Sequence, residues 1–448
     1  MTHFGGSRGL GKWLRAAGAV AALNLLFLLV GTLMAMLPRE RFRDRVREAF
    51  ESGELIQEDW APFDSRRGSN QYDECLVFQM ITNLGDTPLR QAAGPIVHSP
   101  DVAGSDQCRT LYRIVVAGEP LAGLHTFRYT RYWHGHNLLA TVFLQFTVIE
   151  NARRLLKMGA FGSVFLLLWA AIRRKDHRSR SLGISIGAFG LLFWSLPYFG
   201  QAFSHAPGDT TLVLGLVGLL AWPRLSWNLE RLVVYCAIYG TLIVYLEFMT
   251  GLLPTAAGLL FPAVYAVRGT ESAIESRERW LASTGALVAF GLGAGLTVVL
   301  KLSLSVAVYG PTAIDSLFAN LTYYMHPAIS DVPLPRFLLP FGRLYRKGTT
   351  LTYGSGIGAN VLLASAIASW LIAAFIAVFR TGNGRLADLF AAATGSLIVV
   401  IWILLFQTHT FGHAVFMVRM LIVPISLGWT ALAWQLVGRE ARWIAPDR

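Results

Sequence analysis

Asp73 and Glu74 form an acidic pair in a long polar stretch, within Gln71-Tyr72-Asp73-Glu74-Cys75. Later in the same stretch, Arg128 to His136 packs two arginines, two tyrosines, a tryptophan and two histidines into nine residues. A carboxylate in hydrogen-bond reach of a hydroxyl can take its proton. Arginine holds a phosphate through its planar fork, and histidine can add a further donor. Asp73 is therefore the candidate base and Glu74 the second choice. On a helix the two point ~100° apart, so only one of them faces a reacting centre. Arg131, Tyr132, His134 and His136 are the candidates for holding a substrate and its phosphate. The blander readings are an acidic helix start for Asp73 and Glu74 and interfacial anchoring for Arg128, Arg131 and Trp133.

A second cluster, Gln407, His409, His413 and Arg419, lies near the other end of the chain. If a span begins near Gly412, Arg419 lies two turns deep. An arginine there costs about 2.5–3.5 kcal/mol on insertion scales, so it needs an anionic partner. A substrate phosphate or Glu247 would serve, and a purely structural pair between helices is an equal alternative. His409 and His413 at i, i+4 lack a third ligand, so no zinc site is expected. Asp73 and Glu74 could hold a divalent cation weakly, and no other cofactor is implied. Tyr323, Tyr324, His326 and Arg343 suit sugar contact, though interfacial tyrosines are usually anchors. Tyr198, His205 and Asp209 raise the same question more faintly. The glycine-rich run Thr352–Gly358 lacks the lysine and preceding strand of a phosphate loop.

These residues need elements to hold them, and the composition says which kind. The 448 residues are 54% hydrophobic and 15% charged, with mean hydropathy +0.48. Soluble domains carry about 25% charged residues, so an all-α polytopic membrane protein is expected. The net charge of +12 collects at the ends of apolar segments, which is a topology signal and not a nucleic-acid surface. Arg8, Lys12 and Arg15 precede an apolar run to Leu37 that is long enough to span and reads as a retained signal anchor. Leu138–Ile149 is too short to cross ~30 Å of hydrocarbon and reads as a surface helix.

Further spans are expected from Leu155 to Ile172 and near 181–199, 211–223, 231–248, 251–267, 281–309, 357–379, 386–407 and 414–437. That makes ten, with both termini cytoplasmic and arginines on the inside loops. The division is a tail and first span (1–37), an extracytoplasmic loop (38–154), a multi-helix membrane domain with outer loop 310–356 (155–437), and a cytoplasmic tail (438–448). Cys75 and Cys108 share the first loop and are compatible with a disulfide there, free thiols being the alternative. Cys236 lies in an apolar run. No repeat marks a transporter built from two related halves.

This layout resembles the GT-C superfamily of membrane glycosyltransferases, which take sugar from a polyprenyl-phosphate carrier. The resemblance rests on the early Asp73-Glu74, on His136-Asn137-Leu138-Leu139, and on the Glu150-Asn151-Ala152-Arg153-Arg154-Leu155 turn into the second span. The prolines that many members carry after the histidine are missing. Tyr132-Trp133-His134-Gly135 and His409-Thr410-Phe411-Gly412-His413 with Arg419 look similar to type IV pilin arabinofuranosyltransferases. The resemblance implies an inverting sugar transfer at the outer face of a bacterial inner membrane, onto a hydroxyl of a pilin-like protein or a glycan. Asp73 would be the base, and Arg131, His134 and Arg419 would stabilise the departing phosphate. Rival expectations are a flippase for lipid-linked sugars, which would need ionisable residues at mid-span, and an oligosaccharide polymerase or ligase. The last usually places its Arg and His in a late outer loop.

Overall fold

The computed structural model describes residues 6–59, 71–83, 86–100, 106–130, 132–193, 203–222, 224–225, 228–246, 251–268, 276–326, 335–351, 356–379 and 383–437. Seven helices among them are long and apolar enough to cross a membrane, which makes this a multi-pass membrane protein. They are α1 (Gly6–Met34), α7 (Ile149–Ile172), α10 (Leu229–Leu246), α12 (Ser276–Tyr309), α15 (Gly356–Phe379), α16 (Asn383–Leu405) and the Ala414–Val437 segment. Three shorter helices stand where further spans were expected: α8 (His177–Phe193), α9 (Ala206–Ala221) and α11 (Leu252–Arg268). At 16 or 17 residues each falls short of the ~20 that a straight span needs. The residues of α9 and α11 are largely buried among the other helices.

Small residues let these helices approach closely. A Cβ on Gly240 of α10 would collide with the backbone of Phe290 in α12, and one on Gly293 with that of Ala237. The expected last span is not one helix. Ala414–Met417 (α18) is followed by a 3-10 turn at Val418–Leu421 and then by α19 (Ile422–Val437). Pro424 has no N–H to return to the preceding turn, so the ladder breaks there.

The described residues between α1 and α7 fold as a unit against the bundle. Its helices are α2 (Glu40–Glu51), α3 (Tyr72–Thr82), α4 (Pro88–Ala93), α5 (Gln107–Val115) and α6 (Gly135–Phe146). The all-α expectation needs one correction: β1 (Ile96–Ser99) and β2 (His125–Arg128) pair antiparallel, with Ile96 opposite Arg128 and Ser99 opposite His125. Phe42, Val46, Phe78, Leu111 and Leu144 form its core together with Phe203 from the bundle side. Where a surface helix was expected at Leu138–Ile149, α6 has 12 residues, Gly135–Phe146, and ends at an extended Thr147 before α7 begins.

Cys75 and Cys108 are bonded, which joins α3 to α5 with a sequence separation of 33. Closing a loop of that size constrains the unfolded chain by about 3–4 kcal/mol. Cys75→Ala is therefore expected to lower the unfolding temperature measurably. A reductant should lower the wild type to the same value and leave the variant unmoved. Equal unfolding temperatures for wild type and variant would refute the bridge.

Lys301 is a charge the sequence reading passed over. It is buried on α12, donates to the carbonyl of Ala93, and lies 5.0 Å from the centroid of the Trp133 ring. With Ser305 donating to the Thr130 carbonyl at 3.0 Å, it ties the segment between α1 and α7 to the bundle.

Candidate functional site

Helix α3 begins just before the acidic pair, where carboxylates favour the partial positive charge of a helix N-terminus. The ~100° step between neighbours then separates Asp73 from Glu74. Glu74 turns inward and is wholly buried against Arg153 of α7. Arg153 Nε donates to Glu74 Oε1 at 3.3 Å, its Nη1 donates to the Glu54 carbonyl at 3.2 Å, and Phe203 N–H donates to Glu74 Oε1 at 3.4 Å. Asp73 remains partly open, with its side chain 27% exposed, and its Oδ2 lies 3.6 Å from Nε2 of His205.

His205 stands at the residue before α9, wholly inside the protein. Its Nδ1 lies 3.2 Å from Arg419 Nη2. A guanidinium cannot accept, so Nδ1 accepts and the ring proton sits on Nε2, facing Asp73. Arg419 in turn donates to Asp209 Oδ1 at 2.7 Å, with both side chains buried. Asp209, Arg419 and His205 thus form a buried chain that ends on the carboxylate of Asp73. The anion that Arg419 required is Asp209 on α9. Glu247, the partner considered from the sequence, lies outside the described residues.

The late part of the chain closes over the same carboxylate. The rings of His409 and His413 stack at 4.4 Å, and Tyr324 of α13 (Asp315–Met325) lies 4.4 Å from His409. Phe416 lies 5.0 Å from the His205 ring. Burial pushes the His413 imidazole below its ordinary range, and the charge of Asp73 acts on it in the opposite direction. His413 is then neutral at neutral pH and offers a lone pair or a donor, not a fixed charge. Arg343 on α14 (Leu339–Leu351) lies over the Phe411 ring at 4.5 Å, which brings an exposed guanidinium to the turn that carries these histidines.

Other expected residues go elsewhere. Arg131 lies outside the described residues. The Nε2 of His134 is 2.8 Å from the Tyr129 carbonyl, and His136 Nδ1 is 3.5 Å from the Leu246 carbonyl. Gly135 between them has no room for a side chain, because a Cβ would lie 2.6 Å from the Tyr245 ring. Among the described residues no group of three or more His, Cys, Asp and Glu is arranged to hold a metal ion.

Tyr132 points to a different feature. With Tyr324 it lines an apolar groove of about 560 Å³ between α10, α11, α12 and α16, walled by residues such as Phe290, Ala294, Leu321 and Trp402. Tyr324 belongs to both groove and histidine cluster, so the two are continuous.

His205 and Asp209 were underweighted in the sequence. The usable signal was their i, i+4 spacing at the start of an apolar run, together with a deep Arg419 in want of an acid. No protein-family model, no curated protein and no solved structure matches this chain.

Proposed function

We propose that this protein is a membrane glycosyltransferase that moves a sugar from a polyprenyl-phosphate carrier to an acceptor hydroxyl at the outer face of a bacterial inner membrane. The observation that carries this reading is the continuity of a long apolar groove with a partly open carboxylate, through Tyr324 and the two stacked histidines. An isoprenoid tail would lie in the groove, and its phosphate would reach the His409, His413 and Arg343 side chains. The acceptor oxygen forms a bond to the anomeric carbon as the bond from that carbon to the phosphate oxygen breaks. The hydroxyl proton passes to Asp73, and the bonding pair leaves with the polyprenyl phosphate. Attack opposite the leaving group inverts the anomeric centre.

On this reading Arg419 does not touch the phosphate. It is spent on Asp209 and His205 and fixes the imidazole behind Asp73. Glu74 is occupied by Arg153 and holds α3 to α7.

The gathering of Arg343, Tyr324, His409 and His413 from late segments also favours a second reading. Polymerases and ligases acting on diphosphate-linked glycans use Arg and His from such a loop. The deciding experiment supplies the protein in lipid nanodiscs with radiolabelled sugars on synthetic prenyl monophosphates and diphosphates. Label moved only from monophosphates supports the first reading, and label moved only from diphosphates supports the second. No transfer from either, with active transport of a labelled lipid across vesicles, would replace both with a flippase.

The groove makes its own prediction. A Cβ at Gly291, which lines it, would meet nothing within 4 Å. Gly291→Phe should fold normally and fill part of the groove. Losing even two buried methylene contacts weakens binding about tenfold. The KM for a long-chain donor should rise by about that factor, with little change for a donor of two isoprene units. Equal effects on both donors would refute the tail assignment.

A further inference from the structure

A second cavity, about 70 Å³ in volume, lies between the outer end of α1 and helices α3, α4 and α6. It is half-open, and by the ~10–15 Å³ that one water requires it has room for about five. Asn137 Nδ2 lies 3.2 Å from the Met80 sulfur, which puts the cavity against the third turn of α3. Asp73 stands at the start of that helix, about 10 Å of helical rise away. The tail groove is lined by a different set of residues.

Three polar atoms in the residues that wall this cavity have no hydrogen-bond partner among the described residues: Arg39 Nη1, Gln91 Oε1 and Asn137 Oδ1. Gln91 is nine-tenths buried, and its Nε2 is already committed to the Met80 carbonyl, which fixes its oxygen as the unpaired atom. Each such atom costs about 1–3 kcal/mol if left unpaired. One is a charged donor and two are acceptors, so the complement must donate as well as accept. An ionised carboxylate or a phosphodiester has no proton to give the two amide oxygens. A hydroxyl does both.

The remaining walls agree with that demand. Trp133 and Tyr245 line the cavity with their ring centroids 6.0 Å apart, and Phe27 covers one face of Tyr245 at 3.5 Å, which leaves Trp133 as the ring for a ligand. Flat aromatic faces beside a few fixed polar groups are the usual way to bind a molecule with one apolar and one hydroxylated surface. Lys301, close to the Trp133 ring, holds that side chain in place.

We infer that this cavity is a saccharide-binding subsite, in which Arg39, Gln91 and Asn137 bond the hydroxyls at one edge of a sugar unit, Trp133 meets its carbon face, and the rest of the unit extends through the open side. This rests on the glycosyltransferase reading in one respect: it makes a glycan, not a bare protein side chain, the acceptor that reaches Asp73.

The test is saturation-transfer NMR on the full chain in nanodiscs, with methyl glucoside, methyl mannoside and methyl arabinofuranoside as probes. At least one should receive magnetisation from the wild type. Asn137→Leu, whose amide makes only a weak contact to sulfur, should weaken that binding about tenfold, and Arg39→Met should do the same. Asp73→Asn should abolish transfer but leave this binding in place, so that failure of the catalytic reading and failure of the subsite are seen separately. Absence of any signal would overturn the inference, as would equal signals in wild type, Asn137→Leu and Arg39→Met. Arg39-dependent retention of phosphatidylglycerol without glycoside binding would assign the cavity to a lipid instead and overturn it as well.

Discussion

Asp73→Asn is expected to lower sugar transfer by about 10²–10⁴-fold, the usual contribution of a positioned base, while the unfolding temperature stays unchanged. The amide keeps the shape of the side chain but cannot take a proton. Little stability should be lost, because Asp73 is partly exposed and the amide keeps the size and shape of the carboxylate. Donor KM should move little, since the tail is bound in the groove and not by the carboxylate. His205→Gln should show a smaller loss, as the imidazole only orients and polarises the base. Full activity in Asp73→Asn would sink the base assignment and turn attention to Glu74 and to His413, held neutral by burial.

Glu74→Ala and Arg153→Ala are each expected to destabilise the protein by about 3–5 kcal/mol, because removing one partner strands the other's charge in the interior. Neither side chain has water to fall back on, both being almost wholly buried. The measurement is thermal unfolding of each variant beside the double variant Glu74→Leu/Arg153→Met. The double variant replaces the pair by apolar groups of similar volume and should recover most of the loss. Activity per folded molecule should remain near wild type in the double variant. A folded Glu74 variant without activity would return Glu74 to the catalytic candidates. The adjacent carboxylates thus separate by experiment: one change silences a stable protein and the other unsettles an active one.

Position in the sequence alone could not have made that separation. The Asp73-Glu74 pair announced itself through its cost beside a bilayer, and helical periodicity said that the two would diverge. Which of them turned inward depended on Arg153, seventy-nine residues later, meeting the Glu74 side. The depth of Arg419 likewise demanded an acid, and the sequence offered several. Asp209 became the partner because α9 buries its first turn beside the broken last segment, where Pro424 interrupts the ladder.

Local signals determined what depends on local chemistry. The multi-pass helical class and a short separate helix before the second long span follow from apolar length and charge placement, whereas sharing one loop made the Cys75–Cys108 bridge possible without deciding it. Only the tertiary structure decided what depends on two distant segments meeting. It set His205 beside Asp73, brought His413 within reach of that charge, joined His413 through His409 and Tyr324 to an apolar groove, and left polar atoms without partners among the described residues around a second cavity. The physical reason is range: burial and periodicity act within a few residues, whereas the pairing of charges buried in a bundle is settled by which helices pack together.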